Sequence, residues 1–481
     1  MTNSDNSHQS NLQRDLFGLS LDAAARDTLQ SQLMDGLRRK VLSSAQYCGL
    51  RLPASRVLAA ELSVSRMTVQ MVYDQLVAEG YLVTRRGAGT FVAQDLPHLA
   101  RVEVHAPPQP PAPRAWPPFQ TSLPDLSLMP HAQWARHLDQ SWRNPEPALL
   151  ARPDPFGWYP LRAAIADHLG AWRQLACRPE QVVITSGARE AFEIIFRGLL
   201  PEETCAAIED PGWPRMRHAL IAAGSRPLPC RIDVEGFDSR LIPPQARAVI
   251  VTPSRHYPTG RSLGLPRRMA LLDWAQRSGG LVIEDDYDSE FRYRGQPLPT
   301  LAGLDGKRVV YLGSFSKLLN AQMRLGYMVL PEARVPEARA HLGRLGAQAS
   351  LTPQPALARL MQSGEFGAHL RRMRRVYARR QAHLLAALAP VADLVELAPD
   401  MGGMHLCVPL KPALAKVVTD RAICAEATGQ GLAIGALSTH CQLPDPLSGL
   451  LLGYAGFDED TLSEAAIRLG HILRAASLNG L

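Results

Sequence analysis

Lysine is scarce in this sequence. Five occur among 52 basic side chains (Lys40, Lys307, Lys317, Lys411 and Lys416), so chemistry that needs a primary amine has few places to reside. No apolar run approaches the ~18 residues of a membrane-spanning helix, and no membrane partner is expected. The first ten residues, MTNSDNSHQS, lack the basic-then-apolar order of a secretory signal, which makes the cytoplasm the expected compartment. The seven cysteines are an odd number, widely scattered, with none at CxxC spacing. Reduced thiols are therefore expected rather than disulfides, and no metal site is expected. What is present is globular: 46% hydrophobic and 20% charged residues exclude wholesale disorder. A length of 481 residues suggests about three domains. The net charge of +7 leaves nucleic acid open as a partner.

Residues 105 to 118, HAPPQPPAPRAWPP, hold seven prolines and can propagate neither a helix nor a central strand. They divide the chain into a small N-terminal module (22–94), a proline-rich linker (95–119) and a large module (120–481). The last part of the large module, from about residue 350, is read as a small C-terminal α+β subdomain.

The small module reads as helices followed by a hairpin. Leu29, Leu33, Leu37 and Val41 recur at helical spacing. Ser55 can cap a second helix that turns Leu58, Ala59 and Leu62 inward, and Ser65 a third, whose apolar stripe is Val69, Val72, Tyr73 and Leu76. Two short strands, 81–84 and 90–92, flank the turn Arg85-Arg86-Gly87-Ala88-Gly89. This is the layout of a winged helix-turn-helix, an α+β module. Arg66, Thr68 and Gln70 point away from the apolar stripe, where they can enter a major groove of double-stranded DNA; Ser65 can reach phosphate. Arg56 would meet the backbone, and Arg85 and Arg86 phosphate or an adjacent minor groove. Between residues 36 and 92 eight basic side chains oppose three acids.

The large module alternates helical patterns with buried-strand runs at 182–184, 205–208, 248–251, 281–283 and 309–312, each leading into a polar turn. That is the signature of an α/β sheet with ligands at the carboxyl ends of its strands. Lys317, in Gly313-Ser314-Phe315-Ser316-Lys317, follows such a strand. A desolvated lysine there has a lowered pKa and a nucleophilic amine suited to a Schiff base. Ser314, Ser316 and Arg324 can hold a phosphate, as can the amides of Ser186-Gly187-Ala188 at a helix start. Asp285 at a strand end suits a pyridinium nitrogen, Tyr287 a ring oxygen, and Trp213 a stacking face. Together they describe a cradle for pyridoxal 5'-phosphate. The six arginines between Arg371 and Arg380 read as the solvated face of a helix.

Two resemblances cover most of the chain. LPASRVLAAELSVSRMTVQMVYDQLVAEGYLVTRRGAGTFV (52–92) resembles the winged helix of GntR-type bacterial repressors. That implies operator binding through Arg56, Arg66, Thr68, Gly87 and Gly89, with Met67 where many relatives carry a small polar residue. The segments TSGARE (185–190), EDPGW (209–213), YPTG (257–260), EDDYDSEF (284–291) and GSFSKLLNAQMRLGY (313–327) resemble fold type I aminotransferases. Carried over, this resemblance makes Lys317 the Schiff-base lysine and pairs Asp285 with the pyridine nitrogen and Tyr287 with the ring oxygen. It stacks Trp213 on the ring and sets Ser186, Gly187, Ala188, Ser314, Ser316 and Arg324 around the phosphate.

The fusion resembles the MocR branch of GntR regulators. It implies a pyridoxal-phosphate-dependent transcription factor bound to promoter DNA as a head-to-tail homodimer. Its effector would be a small amine such as taurine or an amino acid, or pyridoxal phosphate itself. The alternative is a working aminotransferase with an accessory DNA-binding head. This chain departs from the patterns in three places. Tyr257 stands where aminotransferases place asparagine, Arg255-His256 where the MocR pattern has His-Gln, and Leu451 where aminotransferases place the arginine that grips a substrate α-carboxylate. Arg215 matches a position that some relatives use for an effector's acid group, and Arg255 and His256 can add to it.

Overall fold

The computed structural model describes residues 18–22, 25, 27–96, 116–151, 153–296, 298–346 and 349–479. Most of the expected linker, 97–115, lies outside the described residues, as do the first seventeen positions. The chain separates into two compact units, one before residue 115 and one from it onward.

In the first unit, α1 (Leu29–Leu42) is capped by Thr28 and buries Leu33, Leu37 and Val41. Helix α2 (Ser55–Glu61) buries Leu58 and Ala59. Its N-cap is Ala54 and no side chain closes it, so Ser55 is the first helical residue rather than the cap. Helix α3 (Arg66–Ala78) starts as expected at Ser65, whose hydroxyl accepts from the Thr68 amide at 3.0 Å. Val69, Val72, Tyr73 and Leu76 all turn into an apolar core shared with α1 and α2. Strands β1 (Leu82–Arg85) and β2 (Gly89–Val92) pair antiparallel from Leu82–Val92 to Arg85–Gly89. Gly87 and Gly89 take φ of +76° and +108°, which glycine adopts at little cost, and this allows so tight a wing.

The second unit is built on a seven-stranded sheet. Its strands are β3 (Val182–Thr185), β4 (Cys205–Asp210), β5 (Arg226–Arg231), β6 (Ala248–Val251), β7 (Leu281–Asp286), β8 (Val309–Ser314) and β9 (Gly326–Val329), in the order β3-β9-β8-β7-β6-β4-β5. Only β9 runs against its neighbours. Alternate residues serve opposite faces: Val249, Val251 and Val282 join one apolar cluster, while Ala248, Ile250, Leu281 and Ile283 join another. Both faces are therefore covered by helices, and the central strands are apolar throughout.

The C-terminal part adds an antiparallel sheet of β10 (His405–Pro409), β12 (Gly449–Gly453) and β11 (Gly435–Ala436). Three helices accompany it: Glu365–Leu388, Asp420–Gly429 and Glu459–Asn479. The arginine run lies on the first of these, and four of its members face solvent. The other two turn inward, which corrects the expectation of a wholly solvated face. Arg380 pairs with Asp125 at 2.8 Å, and Arg374 lies over the Trp172 ring at 5.1 Å.

Candidate functional sites

In the second unit the turns after β3, β4, β6, β7 and β8 enclose a cavity of about 770 Å³. Parallel strands present their carboxyl ends on one side of the sheet, which brings residues distant in sequence together there. Lys317 lines the cavity, and its Nζ donates to the Ser122 carbonyl at 3.1 Å. Burial lowers the pKa of this amine, the charge of Arg215 lowers it further, and Asp288 and Asp285 oppose the shift.

The Asp285 carboxylate makes no hydrogen bond with the described residues and opens on the same space. Burial and the neighbouring charge of Asp286 push its carboxyl up to about 7, against the pull of Lys317. A polar group so placed needs a partner from outside the chain, and a protonated ring nitrogen supplies one. Tyr287 borders the cavity with its hydroxyl oxygen accepting from Arg255 Nη1 at 2.9 Å. Trp213 precedes the helix Pro214–Ala222 and packs on the apolar cluster while lining the cavity. Its turn is anchored by the Asp210 carboxylate, which accepts from the amides of Gln442 at 2.6 Å and Leu443 at 3.2 Å.

The anion-binding side is assembled from Gly187, Ala188, Ser314, Ser316 and Arg324, all of which border the cavity. Gly187 has φ +121° and nothing within 4 Å of where a Cβ would stand. The first amides of the helix Ala188–Ile194 have no preceding turn to bond to, so they face the open space. This donor set, with an amine, an unpartnered acid and a flat aromatic face, fits pyridoxal phosphate.

Three expected residues are placed differently. Ser186 is not among the residues that border the cavity, and its amide donates to the Glu190 carboxylate, so that amide is not free for phosphate. Arg255 is not available to an effector: it is 5% exposed and its guanidinium is fully engaged with Asp400, Asp288, Tyr287 and the His405 carbonyl. His256 is buried too, its ring nitrogens occupied by Thr259 at 2.8 Å and the Pro211 carbonyl at 3.0 Å. Burial drives its pKa down to about 3, which leaves it neutral. Arg215, by contrast, is exposed on the cavity wall and makes no ion pair with the described residues.

Sequence reasoning passed over Glu209 and Arg189, which also line the cavity. Glu209 accepts from the Thr252 amide at 3.0 Å and hydroxyl at 2.6 Å, and burial pushes its carboxyl up to about 8. Its position at a strand end within EDPGW was the available signal.

In the first unit, Arg56, Ser65, Arg66, Gln70, Arg85, Arg86, Gly87 and Gly89 are exposed, and Thr68 is half-buried. Gln70 is held by Asp74 at 2.9 Å, and the Ser65 and Thr68 hydroxyls bond each other at 2.8 Å. Arg85 lies over the Phe91 ring at 4.7 Å, which supports the wing from below. Arg66 is the exposed cation at the start of α3 and makes no ion pair with the described residues.

Residues 29–92 match the family described as bacterial regulatory proteins, gntR family, and residues 131–438 match aminotransferase class I and II. The chain is 35% identical to the probable rhizopine catabolism regulatory protein MocR of Rhizobium meliloti, over 96% of this chain and 97% of that protein. The chain belongs to the MocR branch of the GntR-type transcriptional regulators. Within this branch it is also 34% identical to the pyridoxine biosynthesis transcriptional regulator PdxR of Corynebacterium glutamicum, over 92% of this chain and 96% of that one. A solved structure of LysN, an α-aminoadipate aminotransferase from Thermus thermophilus complexed with N-(5'-phosphopyridoxyl)-L-leucine, superposes with a TM-score of 0.65. It shares 27% identity and covers 74% of this chain and 92% of that one. In this MocR-type chain the body has the fold of pyridoxal-phosphate aminotransferases and the head that of a DNA-binding module. No helix among the described residues is long and apolar enough to cross a membrane.

Proposed function

We propose that this MocR-type regulator binds pyridoxal 5'-phosphate in the body cavity and promoter DNA through the head. A small molecule that enters the cavity would alter promoter binding. The observation that carries the reading is the pairing, in one chain, of an exposed cationic winged helix with a cavity in which Lys317 lies near the unpartnered Asp285. The cofactor, when bound, supplies an electrophilic aldehyde carbon and a strong visible absorption. Lys317 would hold that carbon through its amine, whose pKa desolvation lowers. The Asp285 carboxylate would accept a hydrogen bond from the protonated ring nitrogen, and Trp213 would cover one ring face. Gly187, Ala188, Ser314, Ser316 and Arg324 would hold the phosphate.

Arg215 remains as a cation for an acidic group of the effector, because Arg255 and His256 are engaged elsewhere. Leu451, 1% exposed in β12, offers no charge where an aminotransferase grips an α-carboxylate. A sulfonate such as taurine, a displaced carboxylate such as γ-aminobutyrate, or pyridoxal phosphate acting alone suits the remaining groups better than an ordinary α-amino acid. The assembly would be a head-to-tail homodimer.

A visible absorption titration tests the reading. The protein loaded with pyridoxal phosphate is expected to show a yellow band that Lys317→Ala abolishes. Taurine, γ-aminobutyrate and alanine are added separately. A band shift that stops at a new steady spectrum and changes promoter affinity supports a sensor. Complete conversion to the pyridoxamine form would establish an aminotransferase instead. No band in the wild-type protein would remove the assignment of Lys317.

A further inference from the structure

We propose that Arg255 is a positioning residue: its guanidinium fixes the Tyr287 hydroxyl with its hydrogen turned toward the cofactor, and ties that hydroxyl to the C-terminal subdomain. The proposal rests on pyridoxal phosphate occupying the cavity, as above.

Arginine carries five N–H donors and no acceptor. In this chain Nε donates to Asp400 Oδ2 at 3.0 Å, and Nη2 donates to the same oxygen at 2.6 Å and to the His405 carbonyl at 2.7 Å. Nη1 donates to Tyr287 Oη at 2.9 Å and to Asp288 Oδ2 at 3.1 Å. The phenol oxygen therefore receives a hydrogen bond and keeps its own hydrogen. Among the described residues no acceptor takes that hydrogen, and the Tyr287 side chain borders the cavity. The hydroxyl is left as a donor aimed at whatever oxygen the ligand offers.

Other titratable groups around the guanidinium are Tyr257, Tyr293, Tyr454, His256, His405 and Cys407. Tyr257 meets Tyr287 edge-on with ring centroids 5.8 Å apart and bonds His440 Nε2 at 3.2 Å, so it leaves the Arg255–Tyr287 contact intact. Space for the clamp comes from two glycines with positive φ. A Cβ on Gly403 would stand 2.3 Å from Arg255 Cζ, and one on Gly260 would stand 2.2 Å from Asp400 Oδ2. The histidine that the MocR pattern carries at this position has two ring nitrogens and cannot make the five-way arrangement. Asp400 and His405 belong to the C-terminal part, whereas Tyr287 follows β7 of the large sheet. One planar fork therefore joins the cavity wall to the subdomain.

The test is the pH midpoint of the visible band of the full chain loaded with pyridoxal phosphate. A donor on the ring oxygen stabilises its deprotonated form, so losing that donor raises the midpoint. Arg255→Lys keeps the charge but cannot hold Asp400 and Tyr287 at once, and its midpoint is expected to rise by about one pH unit. Tyr287→Phe is expected to rise as well, and Arg255→Lys combined with Tyr287→Phe to match Tyr287→Phe alone. An unmoved midpoint in Arg255→Lys, or shifts that add fully in the double variant, would overturn the proposal. If Arg255→Lys does not fold, Asp400→Asn serves: it frees the plane of the fork while leaving Arg255 and Tyr287 in place. A smaller rise is expected there, and no change counts against the clamp. A wild-type protein without a band would instead refute the cofactor reading on which this rests.

Discussion

Glu209 shows what burial does to a single residue. Its carboxyl keeps its proton in the folded state up to about pH 8, while the unfolded chain releases it near the ordinary glutamate value. The folded state therefore binds the extra proton between those limits, and stability falls as pH rises through that window. Glu209→Gln keeps an oxygen to accept from Thr252 and removes the titration. In denaturant unfolding the cofactor-free protein is expected to lose stability from pH 5 to pH 9, and Glu209→Gln to flatten that loss by up to a few kcal/mol at the alkaline end. A slope identical in both proteins would show that Glu209 does not carry it. At the start of α3, Arg66 has no internal partner, so Arg66→Ala removes a contact without disturbing the fold. Binding to a fragment selected from random DNA is expected to weaken about tenfold to a hundredfold and to lose discrimination at one base pair. Arg86→Ala on the wing is expected to weaken all sequences alike and to lower the salt dependence. Anisotropy titrations at several salt concentrations separate the two.

The individual site residues were legible to different depths. Lys317, Asp285, Trp213 and Arg215 are local features: each sits beside a strand end or a Pro-Gly turn that the sequence displays. Arg255 is not local. What it does depends on Asp400 and His405, about 150 positions away, and nothing in the order of residues announces that pairing. A basic residue beside a binding turn reads as a ligand until its partners are known. Ser186 failed for a smaller reason. Glu190, one helical turn on, reaches back and takes the amide that an anion would need.

Among the elements, the helix caps differ in how they act. Ser65 closes α3 through the Thr68 amide, so Ser65→Ala is expected to cost the head about 1 kcal/mol in denaturant unfolding. Ser55→Ala is expected to cost much less, because the cap position belongs to Ala54. Equal losses would contradict that distinction. The five buried strands announced themselves as continuous apolar runs because both faces of the sheet are covered. Strand β5 did not, since Arg226–Arg231 contains Pro227 and Pro229. Those prolines are tolerable because β5 lies at the sheet edge, beside β4 only. Strand β9 begins within the last two residues of the lysine motif, and its four residues are too few to show a period. The small C-terminal sheet was equally quiet, being assembled from segments more than ten residues apart that pair only after the chain has folded.

For the whole molecule, the core of the first unit shares no residue with the two clusters that cover the large sheet. A ligand confined to the body stabilises the body alone. Calorimetry of the intact chain is expected to resolve two transitions, of which pyridoxal phosphate raises one and leaves the other in place. A single transition that moves as a whole would mean that the units unfold as one.

The glycines around Arg255 also impose an order on history. A descendant of this chain could shorten Arg255 first, and the gap left beside Gly403 would then admit a side chain. The reverse order drives a methyl group into a guanidinium that has nowhere to retreat, since both carboxylates and a carbonyl hold it in place. Descent away from this clamp therefore has a direction, with the arginine lost before Gly403.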